Sequence, residues 1–528
     1  MDNKYTNIFN HIANDANGYP IVWEKSLPSI YKILLPYKDA DTLPEEAQKL
    51  PDESQNEDEI KWIAGAQDGT TIYHCSYSAD EKKLNKILSL LKSLSEQINE
   101  HDISQLYSLV KKGTTLTIID SLLKKLPQED INLQKLYSFF YWLTLNSPDR
   151  EVIKFSIALL GSYSIEQTEL FHLLGMHEEF TLYSAVALTK TLKNPEEIEK
   201  NLLSLAKKVN GWGRINVVRY LIENPSAKTK DWLLREGYKN KVMNEYLAYS
   251  CAKAGELKIA LEQNNVDTSF LSSAAQIILA LINGGPAEDI YDYEDSGLVC
   301  LNYLKHLTKH TLTDIKILHS VIVILDFITT ELDDSNLNWD RNIKTIITEK
   351  AQQIIQQKHW IPLIEKNLQD KNDLKFNYAA YIYSQLGYDS WQIRFNRQKK
   401  YKTNQWLFLM QTEDKQKIEQ VIQLAKEQND FSTIPTGPSL KIFTDSKYAV
   451  HDVLDTILQE LDRFPGLAEE LILIGLQSPL IRNRIMALNA IEALERQQWS
   501  NEILINLKKL AKIEPDEEIQ QRLIHMLS

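Results

Sequence analysis

Two pairs of residues have spacings that can bind a metal ion. Glu169 and His172 stand three residues apart, as in the Glu-x-x-His pairs of di-iron bundles, and His306 and His310 stand four apart. A di-iron site needs a second such pair, and no other histidine has a glutamate three residues before it. His306 and His310 come just before a helix boundary at Thr311, where both imidazoles complement the helix dipole without a metal. The sequence therefore predicts no metal site.

The chain also lacks the motifs that bind nucleotides or carry a nucleophile. Gly211-Trp212-Gly213 supplies two glycines of a dinucleotide fingerprint, but Asn216 stands where the third glycine is needed. There is no P-loop and no Gly-x-Ser-x-Gly elbow. The three cysteines, Cys75, Cys251 and Cys300, are too few and too far apart for a disulfide framework or a zinc knuckle. We therefore expect no cofactor and no catalytic residue.

A basic cluster interleaved with aromatic residues lies near residue 400. It comprises Arg394, Arg397, Lys399, Lys400 and Lys402, with Trp391, Phe395, Tyr401 and Trp406. Such a mixture is typical of platforms that bind single-stranded nucleic acid. However, 59 Lys and Arg against 72 Asp and Glu give the chain a net charge of −13, and neutralising phosphates needs a basic surface. The composition disfavours a nucleic-acid partner, and a solvated face or an ion-pair seam between repeats is the alternative.

The elements that would position these residues are helices. The 528 residues include only 17 Gly and 16 Pro, too few for a protein rich in β-turns. Ser78 and Glu81 have the spacing of a capping box, and an apolar stripe with helical spacing follows from Leu84 to Ile98. Asn194-Pro195 predicts another helix start, because the amide caps free N–H groups and proline needs none.

Several of these helices resemble one another. Ser147-Pro148 and Ser478-Pro479 each precede an apolar stripe that contains small residues, and helices begin near Pro148, Glu178 and Trp212. This spacing of about 30 to 34 residues is typical of stacked helical hairpins. The pattern predicts an all-α protein, an α-solenoid of degenerate HEAT-like hairpins over residues 79–528. A single irregular helical domain is the alternative.

The N-terminal 78 residues have a different character. Residues 39–59 hold nine acids against Lys49, so we predict an acidic mobile linker there, preceded by a mixed cap segment over 1–38. Residues 60–78 are predicted to be a loop with a turn at Asp68-Gly69 and a short strand over Thr70 to Tyr73. Whether these residues pack on the first repeats is left open.

The most distinctive segment runs from Gly211-Trp212-Gly213-Arg214-Ile215 through Trp232-Leu233-Leu234-Arg235-Glu236-Gly237 to Met243–Gly255. With the Asp68-Gly69 element upstream, it resembles a family of bacterial HEAT-like proteins. Most members are uncharacterised, and some carry the name limonene hydroxylase. That name implies monoterpene oxidation with an associated alcohol dehydrogenase activity. The resemblance implies no particular catalytic residues.

The same segment has two physical interpretations. In the first it is a joint between repeats: the two glycines allow a tight helix start, Trp212 and Trp232 anchor adjacent repeats, and Arg214 pairs with a carboxylate such as Glu245. In the second, these residues and Tyr246 form a recognition site on a concave face, since Trp, Arg and Tyr dominate binding hot spots.

We therefore expect a non-enzymatic helical-repeat scaffold that binds a protein or peptide on its concave face. The alternative, implied only by the resemblance, is an oxidoreductase of the limonene hydroxylase type. The N-terminus has no signal-peptide pattern, and the longest apolar run, 321–325, is too short to span a membrane, so a cytoplasmic location is expected. The oligomeric state does not follow from the sequence.

Overall fold

The computed structural model describes residues 18–53, 62–163, 165–310, 312–332, 339–441 and 449–528. These residues form 28 α-helices and no β-strand, so the predicted all-α class is confirmed. The chain divides into two compact units, Met1–Gln356 (unit 1) and Gln357–Ser528 (unit 2), where the sequence predicts one array over 79–528. None of the described helices is both long and apolar enough to cross a membrane.

Unit 1 contains eighteen of the described helices. They are α1 (Ile30–Leu34), α2 (Ala66–His74), α3 (Glu81–Glu96), α4 (Glu100–Lys111), α5 (Leu116–Lys125), α6 (Leu133–Asn146), α7 (Arg150–Gly161), α8 (Thr168–Gly175), α9 (Thr181–Thr191), α10 (Pro195–Lys208), α11 (Trp212–Leu221), α12 (Ala227–Trp232), α13 (Glu245–Ala254), α14 (Leu257–Glu262), α15 (Thr268–Asn283), α16 (Ser296–Leu307), α17 (Ile315–Asp326) and α18 (Arg341–Ile355). Helices α12 and α17 continue as π-helical turns, Leu233–Gly237 and Phe327–Glu331.

Alternate helices of unit 1 pack side by side. Helices α5, α7, α9, α11, α13, α15 and α17 each contact the next in this series, and we call them the odd layer. Each of α7, α9 and α11 also packs against the helix that precedes it, and α13, α15 and α17 each pack against the helix that follows. A single hairpin cannot bury its apolar side, so stacking supplies the core. This pattern is consistent with the predicted stack of helical hairpins.

Local sequence explains where the helices begin and how closely they approach. The Asn194 side chain accepts the N–H of Glu196 and Pro195 is the first residue of α10, as predicted. Asp80, rather than the predicted Ser78, caps α3, because its carboxylate accepts the N–H groups of the next two lysines. Gly161 packs directly on Ala187, where a Cβ would approach within 2.8 Å, so α7 and α9 need small residues there.

The N-terminal region differs from the predictions. Residues 39–53 pack against the rest of unit 1. Leu43, Ala47 and Leu50 are buried there, although the many acids predict a mobile linker. These apolar residues recur among the acids. Burying each of the two leucine side chains stabilises the fold by about 1.5–3 kcal/mol. The rest of the predicted linker, 54–59, lies outside the described residues. The predicted turn and strand at 68–73 are wrong, since both fall within helix α2.

Unit 2 contains the other ten described helices. They are α19 (Trp360–Leu368), α20 (Asp373–Gln385), α21 (Trp391–Tyr401), α22 (Trp406–Met410), α23 (Lys415–Gln428), α24 (Ala449–Leu458), α25 (Glu469–Leu476), α26 (Ile481–Glu492), α27 (Asn501–Ile513) and α28 (Glu517–Leu527). Here too alternate helices contact each other, α22 with α24, α24 with α26 and α25 with α27. Their apolar residues form a core that runs from Trp391 to Met526.

Candidate functional site

The Gly211-Trp212-Gly213 segment starts helix α11 on a carboxylate from the preceding hairpin. Glu178 accepts the backbone N–H groups of Asn210 and Gly211 at Oε1, at 2.7 and 2.6 Å, and that of Gly213 at Oε2, at 2.6 Å. A Cβ at Gly211 would lie 2.8 Å from Glu178 Oε2, so the close approach of backbone and carboxylate requires glycine. The carboxylate satisfies free N–H groups and complements the helix dipole.

Arg214 ties together the ends of two helices through their carbonyls. Its Nε donates to the carbonyls of Ala206 and Val209 at 3.0 and 2.9 Å, at the end of α10. Its Nη1 donates to those of Glu236 and Lys239 at 3.3 and 3.2 Å, after α12. The last carbonyls of a helix have no partner within it, and this one side chain donates to carbonyls at the end of α10 and after α12. Burial lowers the pKa of this arginine.

The predicted pairing of Arg214 with Glu245 is wrong. The guanidinium is directed to four backbone carbonyls instead, and it lies over the ring of Trp232 at 5.7 Å. Glu245, the first residue of α13, accepts a hydrogen bond from Asn283 Nδ2 at 3.2 Å. Arg214 and Trp232 therefore connect the end of α10 with the turn that follows α12.

Trp212 and Tyr246 lie beneath α2, which crosses the odd layer. Gly69 of α2 faces Trp212, and a Cβ there would overlap the indole ring. The Tyr73 and Tyr246 rings are 4.8 Å apart, edge to face, and His74 Nε2 is 2.8 Å from the Tyr246 hydroxyl. Trp212 and Tyr246 are consequently only 7% and 6% exposed, so neither side chain is open to a partner while α2 is in place.

A buried lysine anchors α2 to the odd layer. Lys154 of α7 is fully buried, and its Nζ lies 2.6 Å from Glu179, 2.8 Å from Glu151 and 2.9 Å from Asp68. Asp68 belongs to α2, and its Oδ2 also accepts a hydrogen bond from the Tyr183 hydroxyl of α9 at 3.1 Å. The three acids come from three different elements, so the lysine holds those elements together.

Arg150 extends this cluster to the residues before α2. Its side chain and its backbone N–H both donate to Asp52, at 3.1 and 2.8 Å, and its Nη1 is 3.9 Å from Glu179. Glu179 in turn accepts the N–H of Gly65 at 2.8 Å, just before α2 begins. We call Asp52, Asp68, Arg150, Glu151, Lys154 and Glu179 the Lys154 cluster.

The Lys154 cluster holds two cations and four carboxylates. The excess negative charge disfavours the charged form of Asp68. Burial raises the pKa of Asp68, although Lys154 opposes this, and its Oδ1 has no hydrogen-bond partner among the described residues. Burial also disfavours the charged form of Glu179, but Lys154 and Arg150 outweigh it and lower the pKa to about 2.

The same charges decide what Lys154 can do. Burial alone would lower the pKa of this amine, but Glu151, Glu179 and Asp68 outweigh burial and raise it. A lysine acts as a nucleophile or base only when its pKa is lowered. Lys154 therefore stays protonated and sealed from solvent, as an anchor rather than a reactive group.

An open cavity lies beside α2 on the same odd helices. Its volume is about 330 Å³, and its floor is formed by the small residues Ala158, Gly161 and Ala187 of α7 and α9. Ile72 and Tyr77, at the end of α2 and just beyond it, form part of its wall. This volume lies at the lower end of the range for ligand-binding pockets.

The wall and the rim of this cavity differ in character. Half-buried apolar groups of α5, α9 and α11 line the wall, namely Leu116, Leu123, Leu182, Val186 and Tyr220. Four exposed charged residues surround them: Asp120, Lys190, Arg219 and Glu223. An apolar centre inside a polar rim is the usual anatomy of a binding interface.

The histidines that could suggest a metal site are used otherwise. His172 Nε2 is 2.8 Å from Asn201 Oδ1, and Glu169 of the same helix is exposed. The buried His306 places Nε2 2.9 Å from the carbonyl of Leu261. Within the described residues, no three His, Cys, Asp or Glu side chains are arranged to hold a metal ion.

The basic cluster near residue 400 is not an open aromatic platform. Trp391 and Trp406 are buried in the core of unit 2, and the Trp391 indole donates to the carbonyl of Leu409 at 2.9 Å. Arg397 is also buried and donates to Asp373 and to two backbone carbonyls. Of the aromatic residues in the cluster, Tyr401 is the most exposed, at 42%.

Sequence reasoning missed both the cavity and the Lys154 cluster. It identified the right part of the chain, since Trp212 and Tyr246 lie under α2 next to the cavity. The signal for the cavity is the small residues at Ala158, Gly161 and Ala187, which keep α7 and α9 close and leave room above them.

Comparison with known proteins adds no family assignment. No protein-family model, curated protein or solved structure matches the chain.

Proposed function

We propose that this protein is a non-enzymatic helical-repeat scaffold that binds a protein or peptide partner in the cavity between α2 and the odd layer. The observation that carries the proposal is the cavity itself, an apolar hollow with a charged rim on one side of a stack of hairpins. Helical-repeat proteins use such extended faces to bind other chains. The proposal moves the site from the buried Trp212 and Tyr246 to the neighbouring surface of the same helices.

The chemistry of the cavity favours a polypeptide partner. Its volume accommodates one or two apolar side chains, and burying a side chain of that size contributes about 1.5–3 kcal/mol. The rim holds two cations, Lys190 and Arg219, and two anions, Asp120 and Glu223, so its formal charge is zero. A neutral rim suits the polar groups and mixed charges of a peptide, whereas a polyphosphate backbone needs an excess of cations.

Helix α2 contributes one wall of the proposed site. Ile72 and Tyr77 face the cavity, and Arg219 of the rim lies over the ring of Tyr73 at 5.6 Å. The Lys154 cluster fixes the start of α2 through Asp68. We infer that the cluster acts as a positioning device, which holds α2 at the correct distance from the odd helices.

Photo-cross-linking in the source cells tests the proposal. A photoreactive phenylalanine derivative replaces Val186, in the cavity wall, or Lys200, which is exposed on α10 outside the odd layer. We expect one polypeptide to be cross-linked at position 186 and not at position 200. Identical products at both positions, or none at position 186, would contradict a partner in the cavity.

A matched pair of tryptophan substitutions adds a control. Ala158→Trp fills the cavity from its floor, and Lys200→Trp adds the same side chain on α10. We expect the cross-link at position 186 to be lost with the first substitution and kept with the second. Circular dichroism and the melting temperature show whether both variants are folded.

A further inference from the structure

Arg394, in unit 2, is a buried arginine whose charge is balanced by no carboxylate of the described residues. It lies on α21 and is only 5% exposed. Its Nη1 donates to Asn377 Oδ1 at 3.0 Å and to Gln405 Oε1 at 2.7 Å, and both acceptors are neutral amides. Taking a cation out of water is costly unless it is paired, so this arrangement lacks a partner that its chemistry calls for.

The unused side of the guanidinium is the edge formed by Nε and Nη2. Neither nitrogen donates to an acceptor in the described part of the chain, and neither is sealed off from solvent. Burial lowers the pKa of Arg394 to about 10, and the arginine remains charged at neutral pH. The site therefore presents two parallel N–H donors and one positive charge at a small opening.

Three other arginines of unit 2 direct this same edge at a carboxylate. Arg484 donates through Nε and Nη2 to the two oxygens of Glu514, at 2.8 and 2.7 Å. Arg522 does the same with Glu492, at 3.0 and 2.8 Å. Arg397 directs both nitrogens at one oxygen of Asp373. In all three the edge meets a carboxylate, which fits its two parallel donors.

An aromatic side chain contacts the guanidinium group. The Arg394 guanidinium lies over the ring of Phe408 at 4.1 Å, and Phe408 is 38% exposed. An apolar group attached to a bound carboxylate would contact the open part of this ring. We propose that Arg394 and Phe408 form a binding site for a carboxylate that carries an apolar group. The single positive charge matches a monoanion, since Asp373 already neutralises the neighbouring Arg397.

Nuclear magnetic resonance of the full chain, with its arginines labelled with ¹⁵N, tests this site. The twelve arginines give few Nε–H signals, and Arg394→Lys assigns the one of interest. The probes are benzoate, its uncharged analogue benzamide, and phenyl phosphate. We expect benzoate to shift the Arg394 signal saturably and benzamide to leave it unchanged. No shift with benzoate, or an equal shift with benzamide, would overturn the site. Tighter binding of phenyl phosphate than of benzoate would overturn its assignment to a carboxylate.

Three variants separate the site from the fold of unit 2. Arg394→Lys keeps the charge but loses the two parallel donors and the Nε–H signal, so its affinity is measured by calorimetry. Benzoate should bind at least tenfold more weakly to it than to the wild-type chain. Phe408→Ala should weaken benzoate binding severalfold while leaving the signal of Arg394 observable. Arg522→Lys is the matched control, because Glu492 already occupies its edge, and benzoate affinity should not change. Equal affinity in all four proteins would overturn the proposal.

Discussion

Two buried cations, one in each unit, follow the same Ser-Pro sequence but have different sets of partners. Lys154 lies on α7, after Ser147-Pro148, and Arg484 lies on α26, after Ser478-Pro479. Both side chains are fully buried. Arg484 meets one carboxylate, Glu514, and its remaining N–H groups donate to backbone carbonyls at 2.9 to 3.1 Å. Its site is closed and electrically balanced.

The Lys154 cluster is also buried around its lysine, but its charges are not balanced. Four carboxylates surround two cations, and two of the acids, Asp52 and Asp68, come from the N-terminal segments rather than from the hairpins. The difference shows that a buried cation in the first turns of a helix after Ser-Pro can serve either stability or attachment. In unit 2, Arg484 connects neighbouring helices. In unit 1, Lys154 holds α2 in place, and α2 forms one wall of the proposed binding cavity.

The largest effect on stability is expected from breaking the ion pair between Arg484 and Glu514. Arg484→Met leaves Glu514 buried without a partner and should destabilise unit 2 by about 3–5 kcal/mol. Hydrogen exchange of the α26 amides measures the loss. The double variant Arg484→Met with Glu514→Met removes both charges and should recover most of it. An equal loss of stability in the double variant would show that it comes from altered packing rather than from the unpaired charge.

Acid should weaken the Lys154 cluster through Glu179. The folded pKa of about 2 lies below the ordinary value of 4.5, so this carboxylate stabilises the fold above pH 4.5 and loses that contribution as the pH falls toward 2. The shift corresponds to about 3 kcal/mol. Asp68 has a raised pKa, so its protonation favours the fold and offsets part of the loss.

Hydrogen exchange of the α2 amides between pH 5 and pH 3 measures this effect after correction for intrinsic exchange rates. We expect protection of α2 to fall in the wild-type chain and to depend much less on pH in Glu179→Gln. The same dependence in both proteins would mean that other carboxylates fasten α2.

A smaller effect on stability is expected from a larger side chain between α2 and the odd layer. Gly69→Leu forces a side chain into the Trp212 ring and should weaken the attachment of α2 by about 1–3 kcal/mol. Gln67→Ala, on the same helix, is the control. Because α2 is a wall of the cavity, cross-linking of the partner at position 186 should also fall. An increase in cross-linking would instead mean that α2 blocks the site.

The smallest effect concerns one hydrogen bond. Tyr246→Phe removes the hydroxyl that lies 2.8 Å from His74 Nε2 and should loosen α2 by about 1 kcal/mol, measured by exchange of its amides. Tyr249→Phe, on the same helix, is the control, since Tyr249 lies away from α2 and packs near Tyr293. Equal effects would assign the change to the helix rather than to the contact.

The sequence predicted what depends on local pattern. The apolar stripe from Leu84, the cap at Asn194 and the tight glycine start at Gly211 are visible because neighbouring residues decide them. The chain's division at residue 356 and the packing of residues 39–53 depend on distant contacts and were not foreseen.

Asp68 and Gly69 show why the site itself was missed. As a dipeptide they indicate a turn, since both residues favour one. Here the glycine lets a helix approach Trp212, and the aspartate meets Lys154, which is 86 positions away in the chain. Sequence spacing gives no sign of that meeting, so the pattern predicted a loop where α2 forms a wall of the cavity.

The most direct test of the binding proposal is the native mass of gently purified protein. The chain alone weighs 61.0 kDa. We expect a complex of this chain with one partner polypeptide, which Ala158→Trp reduces to the bare chain and Lys200→Trp leaves intact. A bound flavin or haem in stoichiometric amount, together with turnover of limonene by the pure protein, would contradict it and favour the oxidoreductase.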